Sequence, residues 1–127
     1  MRENDISYKI RGIVYDIYNK LGPGLLESVY EEILFYELKN EGFEVERQKS
    51  IPVFWKNVKM DRGFRADLIV EKKVIIEIKS VEMLAKVHFK QLATYVKLYG
   101  CKLGLLINFS EENINNGIKR YINGEIE

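Results

Sequence analysis

Two carboxylates and a lysine lie close together in the chain, in two segments that alternate like β-strands. Asp67 lies in the first segment, and Glu77 and Lys79 lie in the second. Carboxylates on adjacent strands are suitable ligands for a hard cation such as Mg²⁺, which also keeps water and phosphate ligands. A lysine beside the cation can stabilise developing negative charge or help to deprotonate an attacking water. The pattern therefore indicates a site for metal-assisted hydrolysis.

The pairing of the two strands decides whether the carboxylates meet. Segments 64–70 and 74–79 are joined by three residues, which form a tight hairpin loop if Val70 lies opposite Val74. A slip by one residue would turn every side chain to the other face of the sheet. The register then predicts three further pairs, which are Ile69 with Ile75, Asp67 with Glu77 and Arg65 with Lys79.

Alternation along a strand also assigns each residue to a face. The first face carries Arg65, Asp67, Ile69, Ile75, Glu77 and Lys79, and the second carries Phe64, Ala66, Leu68, Val70, Val74, Ile76 and Ile78. Carboxylates directly opposite each other, with Cβ atoms about 5 Å apart, destabilise a sheet unless their charge is compensated. A cation compensates it, and so do ion pairs with the arginine and lysine of a solvated face. The two isoleucines of the first face argue against a fully solvated face, and both explanations stay open on chemistry alone.

The surrounding sequence predicts the elements that position these strands. Apolar residues at helical spacing, capping residues and glycine or proline breaks set the boundaries of the helices. We expect helices over about 4–20, 25–41, 87–99 and 111–122, an extended segment over 43–56 with a kink at Pro52, and strands over 64–70, 74–79 and 103–109. The last strand is apolar throughout, which predicts that both its faces are covered. The order predicts one α/β domain over 1–127, with a mixed sheet flanked by helices.

Charge is unevenly distributed along the chain. The net charge is +1, yet residues 47–102 hold thirteen Lys/Arg and five Asp/Glu, whereas the remaining residues hold seven and fourteen. The basic segment could face phosphates, or it could be a solvated surface. No apolar run approaches the ~20 residues that cross a bilayer. One cysteine, Cys101, excludes an internal disulfide, and we expect an intracellular, cytoplasmic protein.

Three motifs carry a family resemblance. Asp67 followed by Glu77-Ile78-Lys79 resembles the D…(D/E)-x-K signature of the PD-(D/E)XK nucleases. The segment 24–30, Gly-Leu-Leu-Glu-Ser-Val-Tyr, resembles the name-giving motif of the GxxExxY protein family, a branch of that superfamily. The segment 91–95, Gln-Leu-Ala-Thr-Tyr, is similar to the Q-x-x-x-Y motif of RecB-like nucleases. The resemblance covers roughly residues 8–122, and it departs from the superfamily name at Ala66, where the name has proline.

The resemblance implies a restriction-endonuclease-like αβββαβ core with a mixed four-stranded sheet flanked by helices, plus an extra N-terminal helix and a C-terminal helix. It implies Asp67, Glu77 and the Ile78 carbonyl as ligands of Mg²⁺ or Mn²⁺, and Lys79 as the catalytic lysine. Glu27 would complete the site, and Gln91 and Tyr95 would orient the lysine or contact the nucleic acid. The implied activity is a metal-dependent nuclease acting on DNA, without membrane attachment.

Several of these residues have structural alternatives. Glu27 lies in the first turn of its helix, where a carboxylate favours the helix dipole whatever its function. Tyr30 lies on an apolar face and is expected in the core. His88 and Cys101 are expected to be structural. Phe54 and Trp55 are expected in the core or in a dimer contact.

Two other functions are compatible with the sequence. The first is a nucleic-acid-binding or protein-interaction module that keeps the fold but cleaves weakly or not at all, with a homodimer or a partner protein completing its groove. The second is an oligomerisation domain in which the carboxylates pair with lysine and arginine. Neither needs a metal.

Overall fold

The computed structural model describes residues 1–126. Its elements follow the chain as α1 Glu3–Leu21, α2 Glu27–Asn40, β1 Val45–Ile51, β2 Phe54–Trp55, β3 Val58–Lys59, β4 Phe64–Val70, β5 Val74–Lys79, α3 Lys86–Tyr99, β6 Leu103–Asn108, α4 Ile114–Gly117 and β7 Ile118–Ile122. Five strands form one sheet in the order β1-β4-β5-β6-β7, and β2 and β3 form a separate pair. Only β5 and β6 run parallel. The predicted mixed α/β fold is confirmed, with five strands in the sheet where four were expected.

Helices cover both faces of the sheet. On one face, α1 and α2 pack against β4, β5 and β6, and α1 buries Ile6, Ile10, Val14 and Ile17 at the spacing of one helical stripe. On the other face, α3 packs through Leu92 and Val96. A Cβ on Gly104 would come within 2.5 Å of Val96 Cγ2, so glycine in β6 allows the helix to lie close to the sheet. All of β6 is buried, as expected for a strand covered on both sides. None of the helices in residues 1–126 combines the length and apolar character that crossing a bilayer requires.

The β4–β5 hairpin has the predicted register. Val70 pairs with Val74, Ile69 with Ile75 and Leu68 with Ile76. Glu71 and Lys72 occupy the turn with φ angles of +54° and +55°, the positive values that a type I′ turn requires. The regular ladder ends at Leu68 and Ile76, however, so the predicted pairs of Asp67 with Glu77 and of Arg65 with Lys79 are not part of it. On its other side, Arg65 pairs with Ser50 of β1.

The predicted faces of β4 are correct only near the turn. Leu68 and Val70 pack toward α1 and α2, whereas Ala66 and Phe64 pack with Ile69 in the cluster beneath α3. Residues 66 and 69 would lie on opposite faces of a regular strand. The strand pair β1–β4 is interrupted where Gln48, at φ +50°, lies opposite Asp67. This irregularity turns the first half of β4 over, which alternation alone does not predict.

The C-terminal helix is present but much shorter than the predicted span of 111–122. It covers only Ile114–Gly117, its N-cap is Asn113, and residues 118–122 form β7 against β6. Asparagine and glycine are weak helix formers, and pairing along β6 satisfies its backbone groups. A Cβ on Gly117 would come within 2.4 Å of the Asn108 carbonyl oxygen, so only glycine permits this close approach.

Candidate functional site

Asp67 and Glu77 meet at the point where the β4–β5 ladder ends. The Asp67 backbone N–H donates to Glu77 Oε2 at 3.1 Å, and the Ile78 N–H donates to Asp67 Oδ2 at 2.8 Å. Each carboxylate therefore accepts a hydrogen bond from the strand that carries the other. These two bonds replace regular ladder bonds, so both carboxylates lie between the strands instead of projecting into solvent.

The Glu77 carboxyl lies in an environment that opposes its ionisation. It is 8% exposed. Burial is the main cause that raises its pKa to about 9, and the nearby Asp67 charge raises it further, while Lys79 acts in the opposite direction. Desolvation and a neighbouring like charge both favour the neutral carboxylic acid. The pair therefore retains a proton at neutral pH, a feature that clusters at functional sites.

Lys79 lies at the end of β5, two residues from Glu77, and is half-buried. Its charge lowers the pKa of Glu77, which places it within electrostatic reach of the pair. Within residues 1–126, no hydrogen bond or ion pair engages its ammonium group. The site thus combines two carboxylates with an uncommitted cation.

A network that sequence reasoning missed holds Asp67 from the other side. The Gln48 amide nitrogen donates to Glu31 Oε1 at 2.7 Å and to Asp67 Oδ1 at 3.2 Å. Glu31 is 6% exposed, and its Oε2 accepts from Arg47 Nε at 2.7 Å. Gln48 therefore uses both amide hydrogens to connect two carboxylates. A sequence signal existed, because Glu31 lies three and seven residues before Leu34 and Leu38 on the buried stripe of α2.

Glu27, the predicted helix carboxylate, lies at the first position of α2 and is exposed. No hydrogen bond within residues 1–126 uses its side chain. The loop before it reaches the end of β5, because Ser80 Oγ donates to the Leu25 carbonyl at 2.7 Å. The structure thus brings the start of α2 to the end of the strand that carries Lys79. The carboxylate bound into the site network is Glu31, one turn further along the helix.

Gln91 and Tyr95, which were predicted to share a face of α3 at the site, differ in their surroundings. Tyr95 is half-buried and stacks on Phe64 with ring centroids 4.1 Å apart. Burial raises its pKa, with smaller contributions from the charges of Glu77 and Asp67, so the phenol lies within electrostatic reach of the pair. Gln91 lies one turn earlier on α3 and is exposed, with no side-chain hydrogen bond within residues 1–126.

Two fully buried residues support the loops around the site. Asn108 Oδ1 accepts from the Val81 N–H at 3.0 Å, and its Nδ2 donates to the Val81 carbonyl at 2.9 Å. Asn108 therefore holds the segment that follows Lys79. Tyr30, as expected, is in the core, where it stacks on Phe109 at 4.2 Å. Its hydroxyl donates to the Gly22 carbonyl at 2.5 Å and fixes the loop before α2.

The donor set is compatible with a magnesium-type cation. Asp67 and Glu77 provide hard carboxylate oxygens, and Mg²⁺ commonly takes one or two carboxylates and fills its other positions with water and phosphate. No three His, Cys, Asp or Glu side chains between residues 1 and 126 form a cluster that could hold a metal by themselves. A cation at the pair would therefore depend on peptide carbonyl, water or substrate ligands.

Comparison with known proteins identifies one family. A family model described as the PD-(D/E)XK nuclease superfamily matches residues 4–121. No curated protein and no solved structure matches the chain. The match is at the level of the superfamily, and the resemblance to its GxxExxY branch stays a prediction.

Proposed function

The chain belongs to the PD-(D/E)XK nuclease superfamily, and we propose that it hydrolyses phosphodiester bonds of DNA with Mg²⁺ or Mn²⁺. The observation that carries this proposal is the pair of hydrogen bonds that hold the carboxyl groups of Asp67 and Glu77 side by side between β4 and β5, with Glu77 buried. The shared proton reduces the repulsion between the two carboxyl groups at neutral pH, and a bound divalent cation can take its place. Membership of the superfamily leads us to expect such a cation at a scissile phosphate.

Asp67 and Glu77 would hold the cation, with the Ile78 carbonyl as a third ligand. The Ile78 N–H points to Asp67. Because the N–H and C=O of one strand residue face the same neighbouring strand, the Ile78 carbonyl is directed to the same side. The bound cation would supply Lewis-acid polarisation of the phosphate and a water of lowered pKa. The contribution of the protein is to fix the ligands before the substrate arrives.

Lys79 is proposed as the catalytic lysine. Its uncommitted ammonium group can donate hydrogen bonds to the charge that develops on the phosphate oxygens, or take part in positioning the attacking water. Tyr95 and Gln91 would orient this lysine or contact the nucleic acid, and Tyr95 is the better supported because it lies within electrostatic reach of the pair. Glu27 would reach the site through water from the start of α2.

Gln48 and Glu31 are proposed as positioning residues. The Gln48 amide fixes one oxygen of Asp67 while the Ile78 N–H fixes the other. Glu31 in turn orients the amide, because its carboxylate accepts from Gln48 and from Arg47. Such second-layer hydrogen bonds determine ligand orientation and affinity at metal sites.

The test is cleavage of plasmid, single-stranded and branched DNA by purified protein with Mg²⁺ or Mn²⁺. We expect Lys79→Ala to lower the rate by 10²-fold or more, the order of magnitude for loss of a group that stabilises transition-state charge. Lys102→Ala is the matched control, since this exposed lysine precedes β6 at the opposite end of the sheet. Asp67→Ala tests the metal site in the same assay.

Two outcomes contradict the proposal. Cleavage that persists equally in Lys79→Ala and Asp67→Ala would place the activity elsewhere. No cleavage by folded protein with either metal would favour the alternative, a binding or interaction module on the same fold.

A further inference from the structure

The hairpin formed by β2 and β3 exposes large apolar side chains. Phe54, Trp55 and Val58 are 57%, 65% and 59% exposed. Of the two alternatives expected for Phe54 and Trp55, the core is therefore wrong, and the dimer contact stays a prediction. The hairpin lies outside the main sheet and turns at Lys56 and Asn57, whose φ angles are +50° and +66°. Three exposed apolar side chains within five consecutive residues form a surface patch of the kind found at interaction sites.

The same hairpin is basic. Residues 54–65 contain Lys56, Lys59, Arg62 and Arg65 against the single acid Asp61. None of the ion pairs within residues 1–126 involves these four cations. The Lys56 ammonium lies 5.7 Å from the centroid of the Trp55 ring. The hairpin therefore presents an exposed aromatic ring with a lysine ammonium group beside it and further basic residues nearby in the chain.

The hairpin is continuous with the candidate site. Its chain enters β4 at Phe64, which stacks on Tyr95 of α3. Asp67 lies three residues further along β4, about 10 Å at the rise of a strand. A cavity of about 370 Å³ is lined by residues of β1, β3, β4 and the connecting loops, among them Lys59, Asp61 and Arg65. A ligand bound at the hairpin would therefore lie next to the start of the strand that carries Asp67.

We propose that this hairpin binds single-stranded nucleic acid, with a base stacked on Trp55 and phosphates beside Lys56, Lys59 and Arg62. The inference rests on the proposed function, because it assigns that function a substrate-binding surface. Aromatic side chains within a basic groove bind unpaired bases without sequence preference. In a duplex, these base faces are covered by stacking. A protein partner fits less well, since lysine is depleted from protein–protein interfaces.

Trp55 is the only tryptophan in the chain, so its fluorescence reports directly on the hairpin. The experiment titrates full-length protein in EDTA with oligodeoxythymidylate of about 12 nucleotides, within the site sizes known for single-strand binding. The same titration is repeated with duplex DNA. We expect quenching by the single strand and weaker binding of the duplex.

Affinity is measured in parallel by anisotropy of a labelled oligonucleotide. Trp55→Ala should weaken binding roughly 5- to 100-fold, the loss expected for one stacked base, whereas Trp55→Phe should keep most of the affinity. The double variant Lys56→Ala with Lys59→Ala should bind with a weaker salt dependence. The slope of the log binding constant against the log salt concentration should become shallower by about 1.4. The matched control is Tyr8→Ala, which removes an aromatic side chain that is 77% exposed on α1. Circular dichroism checks that each variant is folded.

Equal binding by Trp55→Ala and wild type, or unchanged Trp55 fluorescence on binding, would overturn the inference. So would protein-concentration-dependent burial of Trp55 without DNA, which would indicate a dimer contact. The cleavage assay with Lys79→Ala reads the proposed function separately. If cleavage depends on Lys79 but binding does not depend on Trp55, the nuclease proposal is supported and the hairpin proposal is contradicted. If binding depends on Trp55 but no cleavage occurs, the hairpin proposal is supported and the nuclease proposal is contradicted.

Discussion

The two ends of the β4–β5 hairpin are built in different ways. At the turn end, Val70 and Val74 belong to a regular ladder of buried apolar residues. At the open end, the ladder is replaced by hydrogen bonds from the backbone to Asp67 and Glu77. The difference separates two tasks within one pair of strands, because regular pairing contributes stability and the irregular end positions polar side chains. Sites of function commonly depart from the local rules that the rest of a fold obeys.

The largest expected effect on stability is at the regular end. Ile75 is fully buried, and Ile75→Ala should lower the free energy of unfolding by about 2–5 kcal/mol through lost apolar contact and a residual cavity. Urea denaturation measures the loss. Cleavage per folded molecule should stay close to that of the wild type, whereas Lys79→Ala should lose cleavage and keep its stability. If Ile75→Ala lost stability and cleavage per folded molecule in proportion, the two ends of the hairpin would not have separate roles.

A pH-dependent effect is expected at the irregular end. The Glu77 pKa is about 9 in the folded protein against 4.5 ordinarily. Between these values the folded state binds more protons than the unfolded state, so its stability falls as pH rises. The Glu77→Gln variant has no carboxyl group to titrate at this position, so its stability should not show this decrease with pH. Between about pH 5 and 8 in EDTA, the wild type should lose up to about 4 kcal/mol relative to the variant.

Thermal unfolding across this pH range provides the measurement. Glutamine can still accept from the Asp67 N–H and donate to the Asp67 carboxylate, so the variant is a conservative control. Added Mg²⁺ should restore stability to the wild type at pH 8, because binding to the ionised ligands displaces the proton. Parallel pH profiles of wild type and Glu77→Gln would contradict the raised pKa.

Gln48 tests the network that joins Glu31 to Asp67. Gln48 has a φ of +50°. For any residue other than glycine, this backbone conformation is about 1–2 kcal/mol less stable than the ordinary ones. Gln48→Ala should keep this strain and lose both hydrogen bonds, whereas Gln48→Gly should lose the bonds but relieve the strain. Denaturant unfolding should therefore find the glycine variant more stable than the alanine variant by about 1 kcal/mol. Equal slowing of cleavage in both variants would assign the effect on catalysis to the missing amide.

The smallest expected effect is at the turn. Lys72 is exposed and has a φ of +55°. Lys72→Gly should raise stability by up to about 1 kcal/mol, because glycine adopts this conformation without steric cost. Cleavage should not change. A lower melting temperature in this variant would show that the 3.9 Å ion pair of Lys72 with Glu44 matters more than the turn conformation.

Local pattern was enough to predict the regular parts of the molecule. The register of β4 and β5 follows from a three-residue connection and a period of two, and α1 follows from apolar residues at helical spacing. These signals lie within a few residues of the structure that they specify. The C-terminal segment shows their limit, since residues 118–122 become a strand only because β6 offers an edge far away in sequence.

The amino-acid sequence by itself determined the order of most of the elements, the pairing of Val70 with Val74 and the placement of Asp67 and Glu77 on adjacent strands. Only the tertiary structure decided that Gln48, Glu31 and Asp67 form one network, because they lie on three different elements. It also decided that Glu77 is buried and that Trp55 is exposed. Burial and long-range hydrogen bonding depend on which surfaces the helices cover, and a side-chain pattern along one segment does not contain that information.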